Sequence, residues 1–257
     1  MKISTELIEN VLDQNNIGEV LHQNVDYNKE QNKNYSYDDF DMLTLYMLIY
    51  NYDTREFKKI NKRNSDLILR SLVYDETFRE LKDYYVSIFR DIETFPVLQT
   101  SGKELNVTFD DSWNAHRTYS GDRRHEGTDL MAKDNVSGKL RIISMSDGVV
   151  EKKGWLELGG YRIGIRSENG TYFYYAHLDS YNDSLEVGDR VKAGDFLGFM
   201  GDTGYGPEGT TGQFDVHLHL GIYIDSQLGN TSINPYYILD CLQNNTEPAD
   251  LSMTMKK

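Results

Sequence analysis

The 257-residue sequence predicts an α+β protein: an N-terminal helical module followed by a mainly antiparallel β-sheet domain with an open groove. Three observations carry this. Apolar residues recur at three- and four-residue spacing between Glu6 and Ile92; short β-rich runs punctuated by glycine follow Phe95-Pro96; and five of the six histidines fall in that second part.

The helical part rests on LTLYMLIY (Leu43–Tyr50) and SDLILRSLVYDETFRELKDYYVSIF (Ser65–Phe89), whose apolar positions share one helical face. Ser65 and Asp75 read as N-caps, and Thr54 followed by Glu56 fits an acidic first turn. The polar stretch Val25–Asp39 reads as a loop. This half holds one histidine, His22, and no convergent catalytic set, so residues 1–95 are expected to form a helical accessory domain. Tyr84 and Tyr85 fit core packing better than sugar stacking. From residue 96 the runs LRIISMSDGVV, YRIGIRSENGTYFYYAH, VGDRVKAGDFLGFMG and DVHLHLGIYI predict antiparallel strands and hairpins, with Glu168-Asn169-Gly170 the clearest turn. This domain is expected to span 96–245, and TEPADLSMTMKK (246–257) to be a loose tail.

A formal charge of −14 and a pI near 4.8 disfavour nucleic acid and a polybasic hold on anionic lipid. The single cysteine, Cys241, excludes an internal disulfide and a cysteine-cluster metal site; it reads as a small buried apolar residue. No stretch approaches the ~18 apolar residues of a membrane helix, and MKISTELIEN lacks the apolar centre of a signal peptide. Membrane insertion by this chain is therefore not expected. Either the protein is cytosolic or an export segment precedes Met1.

In DVHLHLGIYI (Asp215–Ile224), alternation puts Val216, Leu218, Leu220, Ile222 and Ile224 on one face and His217 with His219 on the other, roughly 7 Å apart at Cα. Such a pair can aim two imidazoles at one point. In RRHEGTDLMA (Arg123–Ala132), His125 and Asp129 are four apart, but Gly127 and Thr128 between them make a helix unfavourable. If both bind one metal, the chain must bend at Glu126-Gly127-Thr128. Two histidines and a carboxylate suit zinc and leave a fourth position for water, the catalytic pattern. Glu126, where helical His-Glu-x-x-His motifs carry a base, reads here as structural or solvent-exposed. In TYFYYAH (Thr171–His177), alternation places Tyr175 and His177 on one face.

HEGTD, YYAHL, VKAGDFLGFMGDTG and HLHL, in this order and spacing, resemble the lysostaphin-type (LytM-like) zinc metallopeptidases, or glycyl-glycine endopeptidases, over about residues 98–240. The resemblance implies an endopeptidase of bacterial peptidoglycan peptides, acting in cell wall remodelling or lysis. It makes His125, Asp129 and His219 the ligands of one zinc ion per chain, and His177 and His217 the catalytic pair. Tyr119, six residues ahead of the first ligand, stands where family members carry a tyrosine that helps hold the oxyanion. Leu220-Gly221 stands where Phe-Glu is frequent, and the segment TGYGPEGTTGQFDVHLH is longer than the usual turn before the histidines, an insertion that bears on the shape of one groove wall and so on the bond cleaved. Two other readings stand beside this one. One is a non-catalytic envelope scaffold or regulator on the same fold, which the complete ligand set argues against. The other is a carboxypeptidase with Arg123 and Arg124 near the substrate terminus, although solvation explains those arginines better. Because the inferred substrate lies outside the cytoplasmic membrane, an extracytoplasmic location is expected, with a signal or anchor ahead of Met1. The helical region would then reach an envelope protein partner.

Overall fold

The computed structural model describes residues 38–49, 62–99, 105–119, 121–226 and 229–245, which fall into two units, Met1–Arg90 and Asp91–Lys257. His22, most of the polar stretch 25–39, Thr54 with Glu56, the side chain of Cys241 and the tail from Thr246 lie outside these residues.

In the first unit, α1 (Asp39–Ile49), α2 (Lys62–Leu72) and α3 (Glu76–Phe89) enclose a small apolar core. DFDMLTLYMLI is apolar on nearly every side, so α1 is buried: Phe40, Met42, Leu43, Leu45 and Tyr46 cluster with Leu69 and Phe78. Tyr85 and Phe89 stack at 6.4 Å beside this core. At the start of α1 the backbone N–H groups of Asp38 and Asp41 each donate to the other's carboxylate, at 2.8 and 3.0 Å, and Lys82 of α3 reaches both carboxylates. Asp75 caps α3, its carboxylate accepting from Phe78 N at 3.0 Å. Ser65 is not the N-cap position, since α2 begins at Lys62.

The second unit is built on a ten-stranded antiparallel sheet among the described residues. Its strands are β1 (Val107–Thr108), β4 (Thr128–Ala132), β5 (Arg141–Ile143), β6 (Gly148–Leu156), β7 (Gly160–Arg166), β8 (Tyr172–Tyr181), β9 (Arg190–Val191), β10 (Phe196–Met200), β11 (His217–Ser226) and β12 (Gly229–Ile233). The main path runs β1-β4-β11-β8-β7-β6-β9, with β12 on β11 and β10 bridging β8 and β5. A separate ribbon pairs β2 (His116–Arg117) with β3 (Arg123–Arg124), and α4 (Tyr236–Asn245) follows the last strand. The core holds Leu130, Ile142, Met145, Ile163, Phe173, Tyr175, Leu218, Leu220 and Ile222, all essentially inaccessible. The turn at 168–170 joins β7 to β8, closed by Ser167 N donating to Thr171 O at 2.9 Å, with Gly170 at φ +94°.

Residues 91–98 are stitched to this sheet. Glu93 N donates to Met145 O at 2.8 Å, Ile143 N to Pro96 O at 2.9 Å and Leu98 N to Arg141 O at 2.9 Å, while Ile92, Phe95 and Val97 are buried.

Simple alternation fails in β8. Ile163 pairs with Tyr175 but Tyr161 pairs with Leu178, so β8 carries one more residue than β7 over this stretch. Such a bulge re-aims the side chains that follow it. His177 sits there at φ +62°, in the left-handed region uncommon for a residue with a Cβ. Tyr175 therefore points into the core, its hydroxyl accepting from Met145 N at 2.9 Å, whereas His177 turns outward with Tyr174 and Ala176. Tyr175 and His177 do not share a face, contrary to the alternation reading.

Candidate metal centre

Asp129 and His219 are cross-strand partners of β4 and β11, so pairing register alone sets them side by side. His125 arrives from the bend between β3 and β4. His125 Nε2, Asp129 Oδ1 and His219 Nδ1 form a triangle with edges of 3.0, 3.0 and 2.9 Å. The bend fits because residue 127 is glycine: a Cβ there would meet Leu220 O at 2.4 Å and His219 Cε1 at 2.7 Å. In β11 the apolar face is buried while His217 and His219 face the groove, as alternation requires.

His125 Nδ1 lies 2.9 Å from Ser112 O, an acceptor, and 3.1 Å from Arg117 Nη2, a donor. The tautomer that donates to Ser112 turns the Nε2 lone pair toward Asp129 Oδ1 at 3.0 Å, an arrangement that suits a shared cation; the other accepts from Arg117 and donates from Nε2 to the carboxylate. Three donors about 2.0–2.1 Å from a tetrahedral zinc stand roughly 3.3 Å apart, close to the observed edges. The residues fit a zinc ion. Burial pushes the Asp129 carboxyl up, but contacts with His125 and His219 and charge on His219 and His217 outweigh it and hold the group well below the usual carboxylate range. The outer oxygen, Oδ2, accepts from Arg117 Nη2 at 2.6 Å.

Beside the triangle stand two more imidazoles. His217 Nδ1 donates to Asp215 O at 2.7 Å, leaving Nε2 with its lone pair 3.8 Å from Asp129 Oδ1. His177 Nδ1 donates to Thr203 O at 2.7 Å, and its ring centre lies 4.7 Å from that of His217. Burial pushes both below the ordinary histidine value, opposed at His217 by the Asp129 carboxylate and reinforced at His177 by repulsion from His217 and His219 whenever those are protonated, which favours the uncharged imidazole at both.

The groove around these groups has a volume of about 520 Å³ and is lined by Arg117, Arg123, Arg124, Glu126, Leu158, Tyr174, Tyr205 and Tyr223 among others. Glu126 is exposed and accepts from the Tyr223 hydroxyl at 3.3 Å, away from the triangle. Tyr119 is not among the lining residues. Its hydroxyl donates to Tyr205 O at 2.8 Å and its ring stacks on Tyr205 at 4.0 Å, so Tyr205 supplies the wall. Tyr205 and Phe214, packed on His177 at 6.1 and 4.6 Å, were not singled out by the sequence. Both come from the long segment before the histidines, and its length was the available signal. His116 stands apart, paired with Asp122 at 2.6 Å on the surface.

The fold and site together define the class, the LytM-like peptidase fold with a His-Asp-His centre. The pattern of Peptidase family M23 matches residues 123–235. A crystal structure from Ruminococcus gnavus, assigned as a glycyl-glycine endopeptidase lytM, is 42% identical with a TM-score of 0.70, covering 81% of this chain and 84% of its own. The L-Ala–D-Glu endopeptidase of Bacillus subtilis is 43% identical over 131 residues, 51% of this chain and 39% of the relative. The glycyl-glycine endopeptidase ALE-1 of Staphylococcus capitis is 36% identical over 113 residues, 43% of this chain and 28% of the relative. The chain thus spans less than half the length of these two curated relatives. It belongs to peptidase family M23.

Proposed function

We propose that this chain is a zinc-dependent endopeptidase that hydrolyses peptide cross-links of bacterial peptidoglycan, holding one zinc ion through His125, Asp129 and His219. The observation that supports this most is the triangle of donor atoms with edges of 2.9–3.0 Å, flanked by two buried histidines. Relatives named as an L-Ala–D-Glu endopeptidase and a glycyl-glycine endopeptidase support the substrate class, and with it work outside the cytoplasmic membrane. Among the described residues no helix is long and apolar enough to cross a membrane. The helical unit would position the enzyme through an envelope protein partner.

Zinc supplies Lewis acidity, acidifying water and polarising a peptide carbonyl. The remaining work falls to the chain. His217 Nε2, unprotonated and beside Asp129, would take the proton released by the attacking water; His177, whose Nδ1 proton is held by Thr203 O, presents Nε2 as a second acceptor, so it would share in carrying the proton to the leaving amine and stabilise developing negative charge only while Nε2 is protonated. Arg117 and the Ser112 carbonyl keep Asp129 and His125 aimed. An oxyanion role for Tyr119 requires its hydroxyl to leave the Tyr205 carbonyl for the substrate.

The test combines zinc analysis of the purified protein with digestion of peptidoglycans of known cross-bridge chemistry, the released ends being identified by mass spectrometry. One zinc per chain and new amino termini are expected. Absence of both from the intact protein would favour the scaffold reading instead.

A further inference from the structure

Cross-strand partners project to the same side of a β-ribbon, and like charges directly opposite each other destabilise it. Arg117 and Arg123 are such partners in the β2–β3 ribbon, and both line the groove. Their charges are handled differently. Arg117 is neutralised by Asp129 Oδ2 at 2.6 Å. Arg123 forms no ion pair with a carboxylate among the described residues; Nε donates to Tyr119 O at 3.4 Å and Nη2 to the Tyr205 hydroxyl at 3.1 Å. Its guanidinium is held by neutral oxygens, leaving Nη1 and the second Nη2 hydrogen as an open edge of the kind that grips a carboxylate through two bonds.

The seat is rigidly built. Tyr119 and Tyr205 stack at 4.0 Å and 7°, and a hydrogen bond of 2.8 Å ties the Tyr119 hydroxyl to Tyr205 O. The Tyr205 ring centre is 6.1 Å from that of His177, so Arg123 stands one aromatic ring from the proposed chemistry. An extended peptide advances about 3.3–3.6 Å per residue, which brings a group on a residue flanking the scissile bond within this range. Three carboxylates line the groove and none pairs with Arg123: Asp129 is matched by Arg117, Glu126 in the bend is bonded by Tyr223, and Glu157, between β6 and β7, accepts through its backbone carbonyl from Gly206 N at 3.2 Å. Among the described residues, a protein with a net charge of −14 thus leaves a cation without a carboxylate partner on one groove wall.

We propose that Arg123, seated on the Tyr119–Tyr205 stack, determines specificity by binding a free carboxylate on the substrate residue that flanks the scissile bond. The groove then selects an acidic peptide over an uncharged glycine bridge. This rests on the peptidase reading above, and binding and cleavage test the two separately.

The probes are an L-Ala–D-Glu peptide with its free carboxyl, the same peptide as the carboxamide, and pentaglycine. Titrated into the full-length metal-free protein at low salt, the carboxylate peptide should bind about tenfold more tightly than the carboxamide, some 1.4 kcal/mol. The preference should shrink as salt rises, collapse in Arg123→Gln and persist in part in Arg123→Lys. With zinc-loaded enzyme the ratio of kcat/KM for the two peptides should follow the same order. Equal binding of the two peptides by the parent protein, or an unchanged ratio in Arg123→Gln, overturns the proposal; should Arg123→Gln misfold, the parent's carboxamide and salt comparisons decide. Preferential binding without cleavage of any probe refutes the peptidase and leaves the carboxylate site standing. Cleavage without preference does the reverse.

Discussion

Replacing Gly127 by alanine puts a methyl group where the bend between β3 and β4 touches β11. The new carbon would lie 2.4 Å from Leu220 O, 2.7 Å from His219 Cε1 and 2.8 Å from His219 Nε2. An unstrained carbon–oxygen contact is about 3.3 Å, so the bend and the strand must part by roughly 0.9 Å. A metal site tolerates about 0.2 Å in its ligand distances, so a displacement this large breaks the 2.9–3.0 Å triangle. Crowding a packed interior costs about 1–3 kcal/mol, and each kcal/mol lowers Tm by about 2–4 °C for a unit of this size. Zinc affinity should fall at least 10–100-fold, the range seen when ligand orientation is lost. Chelator competition and thermal unfolding measure both. Parental zinc affinity together with parental Tm would refute the claim that glycine is needed for the close approach of bend and strand.

His219→Ala removes a donor atom and should weaken zinc binding by more than about 100-fold, whereas His217→Ala should retain most zinc and lose about 10²–10⁴-fold in turnover. Equal zinc loss in the two variants would overturn that division of roles. Asp75→Ala deletes the cap of α3 and should cost the helical unit about 1 kcal/mol, read as a lower denaturant midpoint of the helical signal. A chain begun at residue 97 loses Ile92 and Phe95 from the core of the sheet unit and should be less stable than one begun at Asp91 by at least 2–5 kcal/mol, about one large-to-small core substitution. Matched urea midpoints for the two truncations would contradict this.

Local properties were legible in the residues themselves. The two faces of β11 follow from a period of two, which holds within any strand whatever it pairs with, so Leu218 and Leu220 were assignable to the core and His217 with His219 to the other face. The Asp75 cap and the turn at 168–170 were equally readable, because each depends on a few neighbouring residues. So was the need for a bend at Gly127, since chain dimensions separate His125 from Asp129 in any straight strand.

Whatever depended on chain segments far apart in sequence had to wait for the tertiary structure. The extra residue in β8 exists only relative to β7; it sends Tyr175 inward and His177 outward, against the local alternation. The opposition of Asp129 and His219 is a matter of register between β4 and β11, ninety residues apart in sequence. Arg117 looks like an ordinary surface arginine until the ribbon lays it against Asp129, and Tyr119 and Tyr205 exchange places at the groove wall because a stack across 86 residues puts one ring in front of the other. A strand's own alternation is set by backbone geometry, whereas register, bulges and stacked side chains are set by which distant hydrogen bonds and contacts form together, a choice made by the whole fold.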